Sequence, residues 1–101
     1  MKISIMTRKK TVDNITYILG ENDKENHQII SNSNENYWWF HLNNLTSGHC
    51  IVMTEKINHN IIIIASNFLK KYTKIKNHLR FSICYTQIKN IKILNKPGMV
   101  E

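Results

Sequence analysis

Two aromatic-rich apolar runs, Tyr37-Trp38-Trp39-Phe40-His41-Leu42 and His49-Cys50-Ile51-Val52-Met53-Thr54, stand six residues apart, joined by Asn43-Asn44-Leu45-Thr46-Ser47-Gly48. Aromatic and β-branched side chains fit the pleated surface of a sheet, and a polar link ending in glycine fits a turn. The pair predicts an antiparallel hairpin with His41 opposite His49. Side chains alternate along a strand, so Tyr37, Trp39, His41, His49, Ile51 and Met53 share one face. Trp38, Phe40, Cys50 and Val52 take the other. One face must be core, and the other is expected to offer aromatic and imidazole groups to a ligand.

At 101 residues the chain holds one domain, spanning 1–101, with a single core. Ile3 to Ile5 and Ile15 to Leu19 read as strands, the second punctuated by Gly20. Asn22 or Asp23 then caps a short helix running to about Ser31, with Asp23 and Glu25 in its first turn. Ser31 to Asn36 reads as a loop. From Asn58 to about Lys76, the run Ile61-Ile62-Ile63-Ile64 favours a strand by propensity. Periodicity overrides it: Ile61, Ala65, Phe68, Tyr72 and Ile75 recur at the spacing of one helical face, which leaves Asn67, Lys70 and Lys74 outside. Phe81 to Thr86 and Asn90 to Leu94 predict two further strands, and Pro97-Gly98 ends the regular structure. The fold class expected is α+β: a small mixed or antiparallel sheet with a central hairpin, and one short and one longer amphipathic helix packed on it.

Several classes are excluded. The longest apolar run, Ile61 to Ala65, is far short of the ~20 residues of a membrane span. The first residues are interrupted by Arg8-Lys9-Lys10 before a signal-peptide core forms, so a cytoplasmic protein is expected, in the host cytoplasm if the encoder is a virus. Asn14-Ile15-Thr16 and Asn44-Leu45-Thr46 match the glycosylation sequon, which such a protein does not use. Asn, Ile and Lys supply 14, 17 and 12 residues, the bias of an AT-rich genome such as that of a large DNA virus. Cys50 and Cys84 form no CxxC pair, and reduced thiols are expected.

Charge is segregated along the chain. Residues 1–65 carry six Lys and Arg and six acids, whereas residues 66–101 carry eight against Glu101, so the whole excess of +7 falls in the last third. That asymmetry fits a polyanionic partner, and also a solvated lysine face.

Catalysis is not indicated. His41 and His49 would need a third ligand to hold zinc, and Cys50 points away from the histidine face, so neither a metal site nor a thiol–imidazole pair is expected. No cofactor fingerprint of the GxxxxGK[ST] or GxGxxG kind occurs, nor an RNP1 pattern or a GxxG loop. For His41 and His49 a structural role and direct ligand contact both stand.

Longer words of sequence carry more. Trp39-Phe40-His41, Ser47-Gly48-His49-Cys50-Ile51-Val52, Tyr85-Thr86-Gln87-Ile88-Lys89-Asn90-Ile91-Lys92 and Lys96-Pro97-Gly98-Met99-Val100 occur in that order. Together they resemble the NFACT-R domain, the RNA-binding domain of the NFACT proteins, and the likeness runs from about Ile15 to Val100. Gly20-Glu21-Asn22 and Asn26 resemble the family's glycine-basic-asparagine lead into its first helix, with Glu21 in place of the basic residue. The resemblance implies a compact α+β domain with nucleic-acid affinity. Full-length family members act in ribosome-associated quality control, binding stalled large ribosomal subunits and tRNA. The amino-terminal domain, helix-hairpin-helix region and coiled coil of those proteins have no counterpart here, so a stand-alone module is expected.

The expected function is therefore non-enzymatic binding of RNA, tRNA or ribosomal RNA, with the ribosome as a further partner and no membrane. Lys70, Lys74, Arg80, Lys89 and Lys92 would neutralise phosphates, while Trp39, His41, Ser47, Gly48 and His49 shape the surface and Trp39 stacks a base. An adaptor that docks on a ribosomal or regulatory protein is the alternative. A hydrolase using His41 and His49 is a third reading. A strand edge left open near the carboxyl end would also permit a homodimer.

Overall fold

The computed structural model describes residues 7–42, 48–73 and 82–91. The chain opens with a tight hairpin, strands β1 (Arg8–Val12) and β2 (Ile15–Gly20). Between them only Asp13 and Asn14 form the turn, with φ of 51° and 65°. Positive φ at both positions is what a two-residue turn needs to match the strand twist, and Asp and Asn tolerate it better than other non-glycine residues. This pairing sets Arg8 opposite Leu19 and Lys10 opposite Tyr17.

Helix α1 (Asp23–Asn32) follows directly, and its end groups explain where it starts. The Asn22 side chain accepts from the Glu25 N–H at 2.9 Å, and the Glu25 carboxylate accepts from the Glu21 N–H at 3.1 Å. The first bond satisfies a donor that the first turn leaves unpaired, and the second ties the residue before the cap to that turn. Strands β3 (Trp38–Leu42) and β4 (His49–Val52) then form the expected hairpin. Trp38 pairs with Val52, Trp39 with Ile51 and Phe40 with Cys50, a register that carries His41 to His49.

Helix α2 (His59–Lys71) begins where the Asn58 side chain accepts from the Ile61 N–H at 2.9 Å. It buries Ile61, Ala65, Phe68 and Leu69, which recur at helical spacing, so the isoleucine run is helical as the periodicity requires. Strand β5 (Ile83–Gln87) leads into a single 3₁₀ turn, Ile88–Asn90. The sheet is antiparallel throughout, in the order β1-β2-β4-β3-β5, with the hairpin at its centre.

The two helices cover opposite faces. Tyr17, Leu19, Phe40, Leu42, Cys50 and Val52 pack under α2 with Ile61, Ala65, Phe68 and Leu69. On the other side Ile18, Trp39 and Ile51 pack with Ile29 and Ile30 of α1 and with Ile88. Burial of one such large apolar side chain contributes about 1.5–3 kcal/mol, which is why neither face stays open. This corrects the expectation that one face of the hairpin is offered to a ligand.

Two local differences have simple causes. Arg8 to Val12, not expected as a strand, is held by the Asp13-Asn14 turn rather than by its own apolar content, for four of its five residues are exposed. Asn90, expected to open a strand, closes the 3₁₀ turn instead, because the Ile88 and Lys89 N–H groups bond Tyr37 and Glu35 carbonyls at 2.9 and 2.8 Å. The expected strands at Ile3 to Ile5 and Lys92 to Leu94, and the helical position Ile75, lie outside the described residues.

Candidate nucleic-acid interface

The hairpin brings Trp39, His41 and His49 together beside α1. Trp39 Nε1 donates to His49 Nδ1 at 3.2 Å, so that nitrogen carries no proton and Nε2 does. The His49 backbone N–H donates to the Asn26 side-chain oxygen at 3.1 Å, tying the hairpin to α1. The His41 ring stacks on Trp39 at 5.6 Å and meets His49 edge-on at 4.9 Å. Burial, reinforced by neighbouring His41, holds the His49 pKa down at about 3, and burial also lowers that of His41. Both imidazoles are therefore neutral near pH 7.

The same cluster explains Gly20 and Gly48. A Cβ on Gly20 would stand 2.5 Å from the Asn26 side-chain oxygen, and one on Gly48 would collide with the Gly20 carbonyl. The start of α1 presses on Gly20, and the end of β2 on Gly48, too closely for any side chain at either position. Sequence spacing made Gly48 a ligand-facing residue, whereas the close approach of strands accounts for it.

Burial corrects the expected use of Trp39. Its residue is 8 % exposed and His49 is 4 % exposed, and the indole already has His41 on its face. No base stacks on it without opening the core. His41 and Gly48 are half-buried, and Ser47 lies outside the described residues. On the opposite face Cys50 is fully buried and its thiol pKa is raised by desolvation, so that thiol meets neither imidazole, while Cys84, paired across from His41, donates its Sγ–H to the His41 carbonyl at 3.3 Å. Among the described residues, no group of three His, Cys, Asp or Glu is placed to hold a metal.

Two of the expected cations fall within the described residues, Lys70 and Lys89, and the fold places them toward different edges of the sheet. Lys70 lies in the last turn of α2, and Tyr72, just beyond, reaches β1. Lys89 follows β5, the edge strand opposite β1. Lys74, Arg80 and Lys92 lie outside the described residues.

A different set does converge. An open groove of about 320 Å³ lies between β1 and the carboxyl end of α2, lined by Lys9, Lys10, Asn67, Phe68, Lys71 and Tyr72. The Arg8 guanidinium sits 4.0 Å above the Tyr72 ring, and its Nε bonds the Glu21 carboxylate at 2.7 Å. Lys71 Nζ lies 5.5 Å from the same ring centre. Glu21, the departure from the family's basic residue, thus serves as the counter-charge of Arg8. Counting charge along the chain concealed this group, because the count for residues 1–65 balances to zero whereas no carboxylate lines the groove itself. The Asp13-Asn14 turn was the signal that would have placed Lys9 and Lys10 on a strand.

Tyr85 was also missed. It is 43 % exposed on β5, beside Phe40 at 5.2 Å and Trp38 at 6.0 Å. Trp38 itself is pinned by its Nε1 donating to the Glu55 carbonyl at 3.0 Å.

Comparison with known proteins gives the fold a family. The chain superposes on the structure of the C-terminal of the fibronectin/fibrinogen-binding protein from Streptococcus suis with a TM-score of 0.84. Identity is 16 %, so the likeness is one of fold; all of this chain is covered and 43 % of that one. No curated protein is matched. The family model described as NFACT protein RNA binding domain matches residues 3–100. Spanning nearly the whole sequence and agreeing with the antiparallel α+β architecture, that match shows that the chain belongs to the NFACT RNA-binding domain family.

Proposed function

We propose that this protein binds RNA, specifically tRNA or ribosomal RNA, as a non-enzymatic module of translation or ribosome-associated quality control in the cytoplasm. The observation that carries the reading is the match of the RNA-binding family model to residues 3–100. The charge of +7 supports it, since neutralising phosphates and releasing their counterions supplies affinity without any catalytic group. Neutral His41 and His49, bonded or stacked within the hairpin, act as structure in this reading rather than as acid and base.

Two measurements test it. The purified chain is titrated with tRNA over a range of salt, and protein–RNA crosslinks formed in the native cell are sequenced. Expected are retention of tRNA that weakens steeply with salt, crosslinks concentrated on tRNA or ribosomal RNA, and no cleavage of labelled RNA. No retention at low salt would overturn RNA binding. Association with ribosomal particles that survives complete RNase digestion would replace it with the adaptor reading.

A further inference from the structure

We infer that the groove between β1 and the carboxyl end of α2 is the surface along which the RNA phosphate backbone runs. The inference rests on the RNA-binding reading above and gives it a location that neither the hairpin histidines nor the family match supplies.

The groove is built from both sides. Arg8 and Lys10 pair with Leu19 and Tyr17, whose side chains belong to the core beneath α2, so both cations project toward that helix. Lys9 borders the same groove. From the helix side come Lys71, Asn67 and the rings of Phe68 and Tyr72. Six residues thus line it, three of them lysines, with an amide and two aromatic rings beside them and no carboxylate among them. Among the described residues none of the three lysines forms a salt bridge; Arg8 alone does, with Glu21.

Like charges gathered this way repel one another, and an anion with regularly spaced charges relieves that repulsion more fully than isolated counterions do. Flanking sequence carries the same sign. Residues 74–81 hold Lys74, Lys76 and Arg80, residues 1–6 hold Lys2, and neither stretch contains an acid. At about 320 Å³ the groove is near the low end of the ~300–1,000 Å³ of small-molecule sites, and it is partly open to solvent. It therefore suits a strand segment passing through rather than an enclosed ligand. Arg8, stacked on Tyr72 and paired with one exposed carboxylate, can exchange that partner for a phosphate without moving far.

The test uses the full chain and two double variants of equal charge change. Lys10→Ala/Lys71→Ala removes two ammonium groups from the groove; Lys24→Ala/Lys56→Ala removes two exposed ones from elsewhere. Each is titrated with tRNA by filter binding at several salt concentrations, with circular dichroism confirming the native fold. Two lost phosphate contacts should lower the slope of log K against log salt by about 1.4–1.8 and weaken binding at least about tenfold near 0.1 M salt. The control pair should lose less than about threefold, with its slope unchanged. If the parent protein binds no RNA, the functional reading itself fails. If the parent binds and both pairs lose affinity equally, or the groove pair loses none, RNA binding stands and the groove assignment is overturned.

Discussion

Acid should weaken this fold chiefly through His49, and the size of the effect follows from the geometry. His49 accepts the Trp39 indole N–H, is 4 % exposed and has its pKa depressed to about 3 from the ordinary 6.5. A histidine held neutral by the fold contributes its full stability above the unfolded pKa and loses it as pH falls toward the folded value. Between those limits the unfolded chain binds about one more proton than the native state, a slope of about 1.4 kcal/mol per pH unit. Going from pH 7 to pH 5 integrates to about 2 kcal/mol, a large share of the ~5–15 kcal/mol that holds a typical domain together. The measurement is urea unfolding followed by tryptophan fluorescence at the two pH values, on the parent and on His49→Asn. An asparagine oxygen accepts the same indole proton and does not titrate, so the variant should lose about 2 kcal/mol less than the parent. His41 is present in both proteins and adds equally to both. Equal losses would refute the claim that His49 is the buried neutral group.

Gly20→Ala forces a Cβ to within 2.5 Å of the Asn26 side-chain oxygen and removes the acceptor of the His49 N–H, so unfolding stability should fall by about 2–4 kcal/mol. A change under about 0.5 kcal/mol would show that Asn26 moves aside freely. Thiol labelling of the native protein should modify Cys84, which is partly exposed, well before Cys50, which is fully buried with its pKa raised. Peptide mapping that finds the reverse order would contradict the packing beneath α2. Glu21→Gln frees Arg8 from its only salt bridge among the described residues and should raise tRNA affinity about twofold to fivefold at low salt, read by the same filter assay. A loss of affinity would mean that Glu21 orients Arg8 rather than competing for it.

Much of the fold is legible wherever local and long-range preferences agree. The expected register of the aromatic hairpin sets Phe40 opposite Cys50 on one face, and the structure adopts it. Asn22 and Asn58 stand before helical periodicity and both cap helices. The sequence says less where an element owes its form to its neighbours. Strand β1 is mostly exposed and carries three adjacent cations, so no apolar alternation announces it; it pairs because the Asp13-Asn14 turn folds it back on β2. The candidate site was legible in kind but not in place. Basic residues were expected to meet nucleic acid, yet linear charge counting grouped Lys70 with Lys89, which the sheet separates, and left out Lys9 and Lys10, which α2 brings to Lys71. Trp39 and His49 were conspicuous by type, and their burial follows from α1 covering the second sheet face, which alternation within a single hairpin does not reveal.

The most direct measurement is ultraviolet crosslinking of the full chain to tRNA, followed by mass spectrometry of the nucleotide-bearing peptides. Adducts on peptides containing Lys9, Lys10, Lys71 or Tyr72, suppressed in Lys10→Ala/Lys71→Ala, are the expected result. Adducts confined to the Trp39 to Leu42 strand or to α1, with the groove peptides clean, would contradict it.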